Sequence, residues 1–245
     1  MGAKFVASSA QYIRCATPDL TTRPITIGCW YKAAGDGTEQ CLTSIHDTQA
    51  TERGWELFAH TGNITTRMTW WTGSATQATA IVTSTRDEWN YVICRLIART
   101  SKRMTNLSMS GGITHANNTG ATDPVALNTV DVGGWSGSVT LNGALAEWWM
   151  ADIDIQADGL ELNESLFLQL AYKGPFSVPH IVPAIVEYRS FWQGIDSNED
   201  RPGHVYQRGG RRMFTAINGP TIGEHPPISG NYVRPGQSYT RMVLT

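Results

Sequence analysis

The chain divides into two parts of different character, and this contrast most constrains what it can fold into. Residues 1–195 contain short runs of β-branched and aromatic residues, whereas residues 196–245 show neither helical nor strand periodicity. The second part is interrupted by Pro202, Pro220, Pro226, Pro227 and Pro235. Such a segment buries too little apolar surface to offset the entropy lost on ordering. We therefore predict one domain over residues 1–195 and an extended C-terminal arm over residues 196–245, which must lie on its own domain or on a neighbouring subunit.

The composition fits one globular domain that carries no strong electrostatic field. Hydrophobic residues make up 41% of the 245 residues, and all-β folds of about 200–250 residues are commonly single domains. The formal net charge is −2, so nucleic-acid binding is not expected. The chain contains neither an apolar run of the roughly 20 residues that a membrane helix needs nor a signal-peptide pattern at its start. These features predict synthesis in a cytoplasm and no membrane association.

Strand patterns dominate residues 1–195. Residues 24–31 and 89–97 are apolar on both faces, which is typical of central strands that are covered on each side. Residues 54–59, 63–71 and 78–84 are rich in threonine or aromatic residues and are separated by turn residues, which favours half-solvated strands. The pattern predicts antiparallel sheets.

Two hairpins are predicted from glycine-containing pairs. Gly111 and Gly112 stand between two strand patterns, and Asn142-Gly143 is the pair that most favours a type I′ turn. The second hairpin leads into residues 146–155, the longest predicted strand.

One helix is predicted after these strands. Asn163 is a suitable N-cap, Leu166, Phe167 and Leu170 share one face, and Gly174 ends the pattern. The four cysteines form no C-x-x-C pair, which favours buried thiols: Cys15, Cys29, Cys41 and Cys94. The predicted fold class is an all-β sandwich of two antiparallel sheets with one short helix and an irregular C-terminal arm.

Five segments, taken in order, resemble the laminin-G-like branch of the concanavalin A-like lectin and glucanase jelly rolls. They are residues 24–30, 87–92, 132–134, 142–149 and 170–175. The resemblance covers about residues 1–195 and implies a concanavalin A-like jelly-roll sandwich. It implies no single function, because the family includes lectins, glycan hydrolases and structural modules.

Two later segments, residues 179–188 and 223–226, are similar to laminin-G-like proteins encoded among the structural genes of tailed bacteriophages. This resemblance implies a structural virion protein, a capsid decoration or head-surface protein that is anchored by its arm. The implied partners are the major capsid protein or neighbouring copies of the chain, in a homo-oligomer or a symmetric array.

The catalytic motif of the family's glycan hydrolases is broken in this chain. Those enzymes place two glutamates and an aspartate on one strand face, because an acid/base and a nucleophile must flank one bond. Glu147 begins the nearest candidate, but Trp149 stands where the aspartate is needed and no second glutamate follows. Asp152 and Asp154 are interpreted as a solvated strand edge. We predict that the protein is not an enzyme.

Trp71 and Trp135 are the candidate ligand-binding residues. Strand alternation places Trp70 in the core and Trp71 on the exposed face, and Trp135 follows two glycines in a loop. Exposed tryptophans can stack on sugar rings, so the alternative function is a carbohydrate-binding module that adsorbs to a cell-surface glycan. Packing under the arm or at a subunit contact is the other interpretation of both residues.

No residue spacing defines a metal site. Acidic and amide residues crowd one region without a calcium-ligand pattern: Asn117, Asn118, Asp123, Asn128 and Asp131. We predict no metal and no other cofactor, with calcium left as the alternative.

The arm supplies the predicted interaction residues. They are spaced aromatic residues and an arginine pair able to bind carboxylates: Arg211, Arg212, Phe214, Tyr232 and Tyr239. A chain that ends near Gly194 is therefore predicted to fold but not to assemble.

Overall fold

The computed structural model describes residues 3–16, 24–35, 38–46, 53–59, 65–72, 75–98, 101–119, 127–135, 139–156, 161–189, 215–218, 220–222 and 226. The predicted interaction residues of the arm, Arg211, Arg212, Phe214, Tyr232 and Tyr239, lie outside these ranges.

The described strands are β1 (Ala3–Phe5), β2 (Tyr12–Ala16), β3 (Ile25–Ala33), β4 (Gln40–His46), β5 (Arg53–Ala59), β6 (Thr65–Thr72), β7 (Ala75–Thr83), β8 (Asn90–Ala98), β9 (Ser101–Ser108), β10 (Gly112–Thr119), β11 (Thr129–Val132), β12 (Gly134–Trp135), β13 (Val139–Thr140), β14 (Gly143–Ala151), β15 (Ile185–Arg189), β16 (Thr215–Ile217) and β17 (Thr221–Ile222). The α-helix α1 spans Glu164–Lys173.

These strands form two large antiparallel sheets. An eight-stranded sheet has the order β10-β9-β8-β3-β14-β1-β17, with β15 also paired to β14. A seven-stranded sheet has the order β16-β2-β11-β4-β5-β6-β7, and β12 pairs with β13 in a small separate sheet. The predicted all-β sandwich of two antiparallel sheets with one helix is confirmed.

Two apolar layers hold the fold together. The first lies between the sheets and includes Leu42, Val92 and Trp148. The second lies between the eight-stranded sheet and α1, where Trp30 and Trp149 are fully buried. Because β3 and β8 contribute to both layers, they are covered on each face, as their doubly apolar sequences predicted.

The helix begins and ends as its sequence predicts. The Asn163 side chain accepts a hydrogen bond from the Leu166 N–H at 3.2 Å, and Gly174 follows the last turn with φ 72°. The Trp30 indole N–H donates to the Ala171 carbonyl at 2.8 Å and fixes α1 to the sheet. No helix among the described residues has the length and apolarity that crossing a membrane requires.

One predicted hairpin is confirmed and the other is wrong. β9 and β10 pair across the turn that contains Gly111. The Asn142-Gly143 pair joins no hairpin, because β13 pairs with β12 while β14 pairs with β1 and β3. Gly143 is needed for another reason, since a Cβ there would overlap the Lys32 carbonyl oxygen on β3. The strand predicted over residues 146–155 ends at Ala151.

The cysteines are buried thiols, as their spacing predicted. Burial raises the pKa of the Cys29, Cys41 and Cys94 thiols above the ordinary value. These side chains therefore stay protonated and unreactive near neutral pH.

The described part of the arm lies on its own sandwich, one of the two placements that the sequence allowed. We call residues 215–222 the clip, because β16 pairs with β2 in one sheet and β17 pairs with β1 in the other. Gln11 donates to the Asn218 carbonyl at 2.9 Å and accepts from the Val6 N–H at 2.8 Å. The clip therefore supplies an edge strand to each sheet on one side of the sandwich, although its sequence lacks a strand pattern.

Glu88 holds the turn between β9 and β10. Its Oε1 accepts hydrogen bonds from the Ser108 hydroxyl at 2.6 Å and from the Ser110 N–H and hydroxyl at 3.1 and 2.9 Å. Partial burial acts to raise the pKa of Glu88, but these hydrogen bonds outweigh burial and lower the pKa below the ordinary 4.5.

The lowered pKa gives a pH dependence that can be measured. A carboxyl group with a depressed folded-state pKa contributes stability above its unfolded pKa of 4.5 and loses it as pH falls through the folded value. We expect Glu88→Gln to be less stable than the native protein at pH 7 and to approach it as pH drops well below 4.5. Denaturant melts at both pH values measure this. A stability difference that stays constant with pH would show that the carboxylate does not support the turn.

Candidate functional site

A row of polar side chains crosses the seven-stranded sheet on the face turned away from the core. Strand register aligns Arg14 on β2 with Asp131 on β11, Asp131 with Ser44 on β4, and Ser44 with Glu56 on β5. Ile45, which follows Ser44 on β4, packs in the layer between the sheets. Because successive side chains of a strand point to opposite faces, Ser44 lies on the face turned away from that layer. We call Arg14, Ser44, His46, Glu56 and Asp131 the polar row.

Asp131 is the centre of the polar row. Its carboxylate accepts from Arg14 Nε and Nη2, both at 2.7 Å, and lies 3.1 Å from His46 Nε2. Asp131 is fully buried, whereas a third of the Arg14 side chain is exposed. The hydrogen bonds that Arg14 donates to Asp131 raise the pKa of Arg14, so the guanidinium stays charged. The arrangement fixes one partly exposed cation in a defined orientation.

One aromatic ring packs against this cation, and the strand that carries a second aromatic residue, Trp135, lies beside the polar row. The Arg14 guanidinium carbon lies 5.1 Å above the centre of the Tyr12 ring, which is cation–π geometry. Trp135 is half-buried on β12, and the carbonyl of the preceding Gly134 accepts from the Ser44 hydroxyl at 3.2 Å. A Cβ at Gly134 would lie 2.8 Å from the Tyr12 Cβ, so only glycine allows β12 to approach the row this closely.

The strands that carry the two candidate ligand-binding tryptophans both lie near the polar row. Trp135 lies on the small sheet beside the polar row. On β6, Trp71 pairs with Gly54, which pairs with His46, and Trp70 pairs with the core residue Trp55. The side chains of Trp70 and Trp71 lie outside the described residues, so their predicted faces remain a prediction.

Sequence reasoning missed the polar row, because its members are far apart along the chain. The sequence places Asp131 with nearby asparagines as an alternative calcium ligand, whereas in the structure it binds Arg14 and His46. Asn117 and Asn118 lie on β10 of the other sheet, and Asp123 lies outside the described residues. No group of three or more His, Cys, Asp or Glu side chains suited to a metal occurs among the residues that the structure describes.

The remnant of the hydrolase motif lies inside the protein. Glu147 is only 2% exposed and has a left-handed φ of 50°, at a bulge where β14 shifts register against β3. Trp149 is buried under α1, where its indole N–H donates to the Tyr91 hydroxyl at 3.0 Å. A substrate cannot reach this carboxylate without opening the fold.

The interpretation of Asp154 as a solvated strand edge is wrong. Its carboxylate accepts from Arg95 Nε at 2.6 Å and from Arg95 Nη2 at 2.9 Å, and Arg95 is 1% exposed. Arg95 also donates to the Gln156 carbonyl at 2.8 Å. Because β14 ends at Ala151, Asp154 lies in the following loop and fixes that loop to the sheet.

No protein-family model and no curated protein matches the chain. Among solved structures, the chain is similar to the heptameric SAP-like pentraxin of Limulus polyphemus, with 13% identity and a TM-score of 0.45 over 66% of this chain and 75% of that chain. It is also similar to domains LG4-5 of the mouse laminin α1 chain, with 11% identity and a TM-score of 0.44 over 64% of this chain. For the LG1-3 region of the laminin α2 chain, identity is 10% and the TM-score is 0.46 over 61% of this chain. The matches span 44% and 30% of the two laminin chains.

Proposed function

We propose that the protein is a non-enzymatic structural protein of a tailed-phage virion, a capsid decoration or head-surface protein made in the host cytoplasm. The non-enzymatic part of this proposal depends on one observation: its candidate catalytic carboxylates are either buried or paired with arginine. Glu147 is buried at a bulge, Asp154 is held by Arg95, and Asp131 is held by Arg14. A glycan hydrolase needs two carboxyl groups that are open to its substrate.

The resemblance of residues 179–188 and 223–226 to phage laminin-G-like proteins supports the virion part of the proposal. A sandwich whose own arm pairs with an edge of each sheet is also suited to a structural role, because those edges are then occupied within the chain and contacts with the major capsid protein or neighbouring copies use other parts of the surface. The function then depends on surface contacts rather than on a reaction.

Measuring the protein content of purified phage particles, produced by cells that carry the gene, tests this proposal. We expect the protein in every particle, in a copy number that matches the symmetry of the head, and at the head surface in antibody labelling. Its absence from purified particles would overturn the virion assignment. A substoichiometric amount that washes away in salt would also count against it.

The absence of hydrolysis is tested separately. We expect no release of reducing sugar from β-glucans or galactans, because Glu147 cannot reach a substrate. Hydrolysis that Glu147→Gln abolishes, with melting temperature unchanged, would show that the protein is an enzyme.

A second candidate function, carbohydrate binding for host-surface adsorption, is favoured by the surroundings of Trp135. The strand that carries this half-buried indole lies beside the polar row, in which Arg14 is an oriented cation, so a stacking surface and fixed hydrogen-bond donors occur in the same part of the molecule. Such a combination is typical of sugar sites.

Glycan arrays with the purified protein test the second candidate. If a glycan binds, we expect Trp135→Ala to weaken binding at least about tenfold, since stacking of an aromatic ring is lost. Met109→Ala is the matched control, because Met109 is 47% exposed in the β9–β10 turn. Equal effects of both substitutions, or no binding to any glycan, would reject this candidate.

A further inference from the structure

The strands at the two lateral edges of the sandwich differ in origin. On one side, the clip supplies the last strand of each sheet, β16 and β17. On the other side, the sheets end with β7 and β10, and within the described residues each of these strands pairs with one neighbour only, β6 and β9. Unpaired strand edges present rows of free N–H and C=O groups to solvent.

β10 carries none of the devices that normally protect such an edge, and β7 carries only one, a register shift against β6 at residues 76–78 near its start. Proteins block exposed edges with charged side chains, proline or bulges. β7 and β10 contain no Asp, Glu, Lys, Arg or Pro, although 16% of the chain is charged and about three charges would be expected in strands of their combined length. β10 pairs with β9 over eight residues without a register shift, and Ile81 on β7 is 51% exposed.

The two edges are held side by side and form one surface, which we call the bare edge. The Thr83 carbonyl at the end of β7 accepts from the Asn106 side chain at 2.7 Å and from the Thr114 hydroxyl at 3.2 Å. Asn106 lies on β9 and Thr114 on β10, so the last strand of the seven-stranded sheet is fastened to the last two strands of the other sheet. The spacing between the edges is therefore fixed.

We propose that the bare edge binds a second copy of this chain, with β10 pairing antiparallel to β10 and β7 antiparallel to β7. A twofold axis perpendicular to the sheets reverses strand direction, so it creates antiparallel pairs in both layers at once. A single extended peptide could satisfy one edge only. A second copy presents two edges at the same fixed spacing and, because both strands are uncharged, meets no like-charge repulsion. This interface does not depend on the virion assignment.

The full-length protein tests the proposal in solution. We expect analytical ultracentrifugation to show a concentration-dependent dimer. Asn117→Lys on β10 and Ile81→Lys on β7 should each raise the dissociation constant at least about tenfold, because each places like charges from two copies close together. Ser165→Lys adds the same charge to an exposed position on α1 and should leave the dissociation constant unchanged. Circular dichroism checks that each variant is folded.

Amide hydrogen exchange gives a readout that needs no substitution. Residues 112–119 should exchange slowly at concentrations where the protein is dimeric and at least about tenfold faster where it is monomeric. A native protein that stays monomeric throughout the concentration range would overturn the proposal, as would a dimer that neither lysine variant weakens. If deletion of residues 227–245 turns a monomer into a dimer, the arm covers the bare edge in the native protein, and the proposal is likewise wrong.

Discussion

Replacing Asp154 with alanine is expected to lower the free energy of unfolding by about 3–5 kcal/mol, the usual cost of removing one partner of a buried ion pair. The substitution leaves the Arg95 guanidinium charged, 1% exposed and without its two carboxylate hydrogen bonds. The loop after β14 also loses one of its attachments to β8, and keeps the hydrogen bond from Arg95 to the Gln156 carbonyl. Denaturant unfolding followed by tryptophan fluorescence measures the loss.

Glu161→Ala is the matched control for this substitution. It removes a carboxylate from the same connection between β14 and α1, but Glu161 is exposed, so we expect a change of no more than about 0.5 kcal/mol. A loss below about 1 kcal/mol for Asp154→Ala would mean that the pair is solvated in solution, and would restore the interpretation of Asp154 as an exposed residue.

Ending the chain at Gly194 is expected to destabilise the sandwich by about 3–5 kcal/mol, from hydrogen bonds worth roughly 0.5–1.5 kcal/mol each. The sequence predicts that such a chain still folds, and the strand pairs of the clip add the expectation that it is less stable. Truncation removes three residue pairs with β2 and two with β1, together with the bond between Gln11 and the Asn218 carbonyl. It also bares the edges of both strands, so the shortened chain should aggregate as well as melt at lower temperature.

A chain that ends at Pro226 separates the clip from the rest of the arm. It keeps β16, β17 and the buried Pro226, so its melting temperature should match that of the full-length protein. Equal stability of the chains ending at Gly194 and Pro226 would show that the clip contributes nothing to the fold. If neither chain folds, residues 227–245 supply the stability that both shortened chains lack.

The sequence predicts the elements of this fold better than their pairing. The doubly apolar runs of β3 and β8 and the Asn163 N-cap depend on local composition and spacing, and both predictions are confirmed. The Asn142-Gly143 hairpin also had a strong local pattern, but the choice of partner strand depends on contacts with β3 and β12. Turn propensity is a weak preference that such tertiary contacts override.

Local sequence patterns do not predict the polar row, because it too depends on which strands become neighbours. Arg14 and Asp131 are separated by 117 positions in sequence and meet only because β2 and β11 are neighbours. Single charged residues in strands give no sign of which cross-strand partner they have. The loop sequence alone predicts Trp135 as a candidate, whereas the position of its strand beside Ser44 of the polar row follows only from the three-dimensional structure.

The clip also sets the order in which this protein can be completed during synthesis. Gln11 bonds to a residue 207 positions further along the chain, so at about 5–20 residues per second β2 leaves the ribosome roughly 10–40 seconds before its edge strand exists. Throughout that interval both N-terminal strands present open edges to other nascent chains. A product released early by a premature stop never acquires the clip and keeps those edges. A segment made this late therefore acts as a check on how far synthesis has proceeded, because copies that lack it are excluded from any assembly that requires these two edges to be paired.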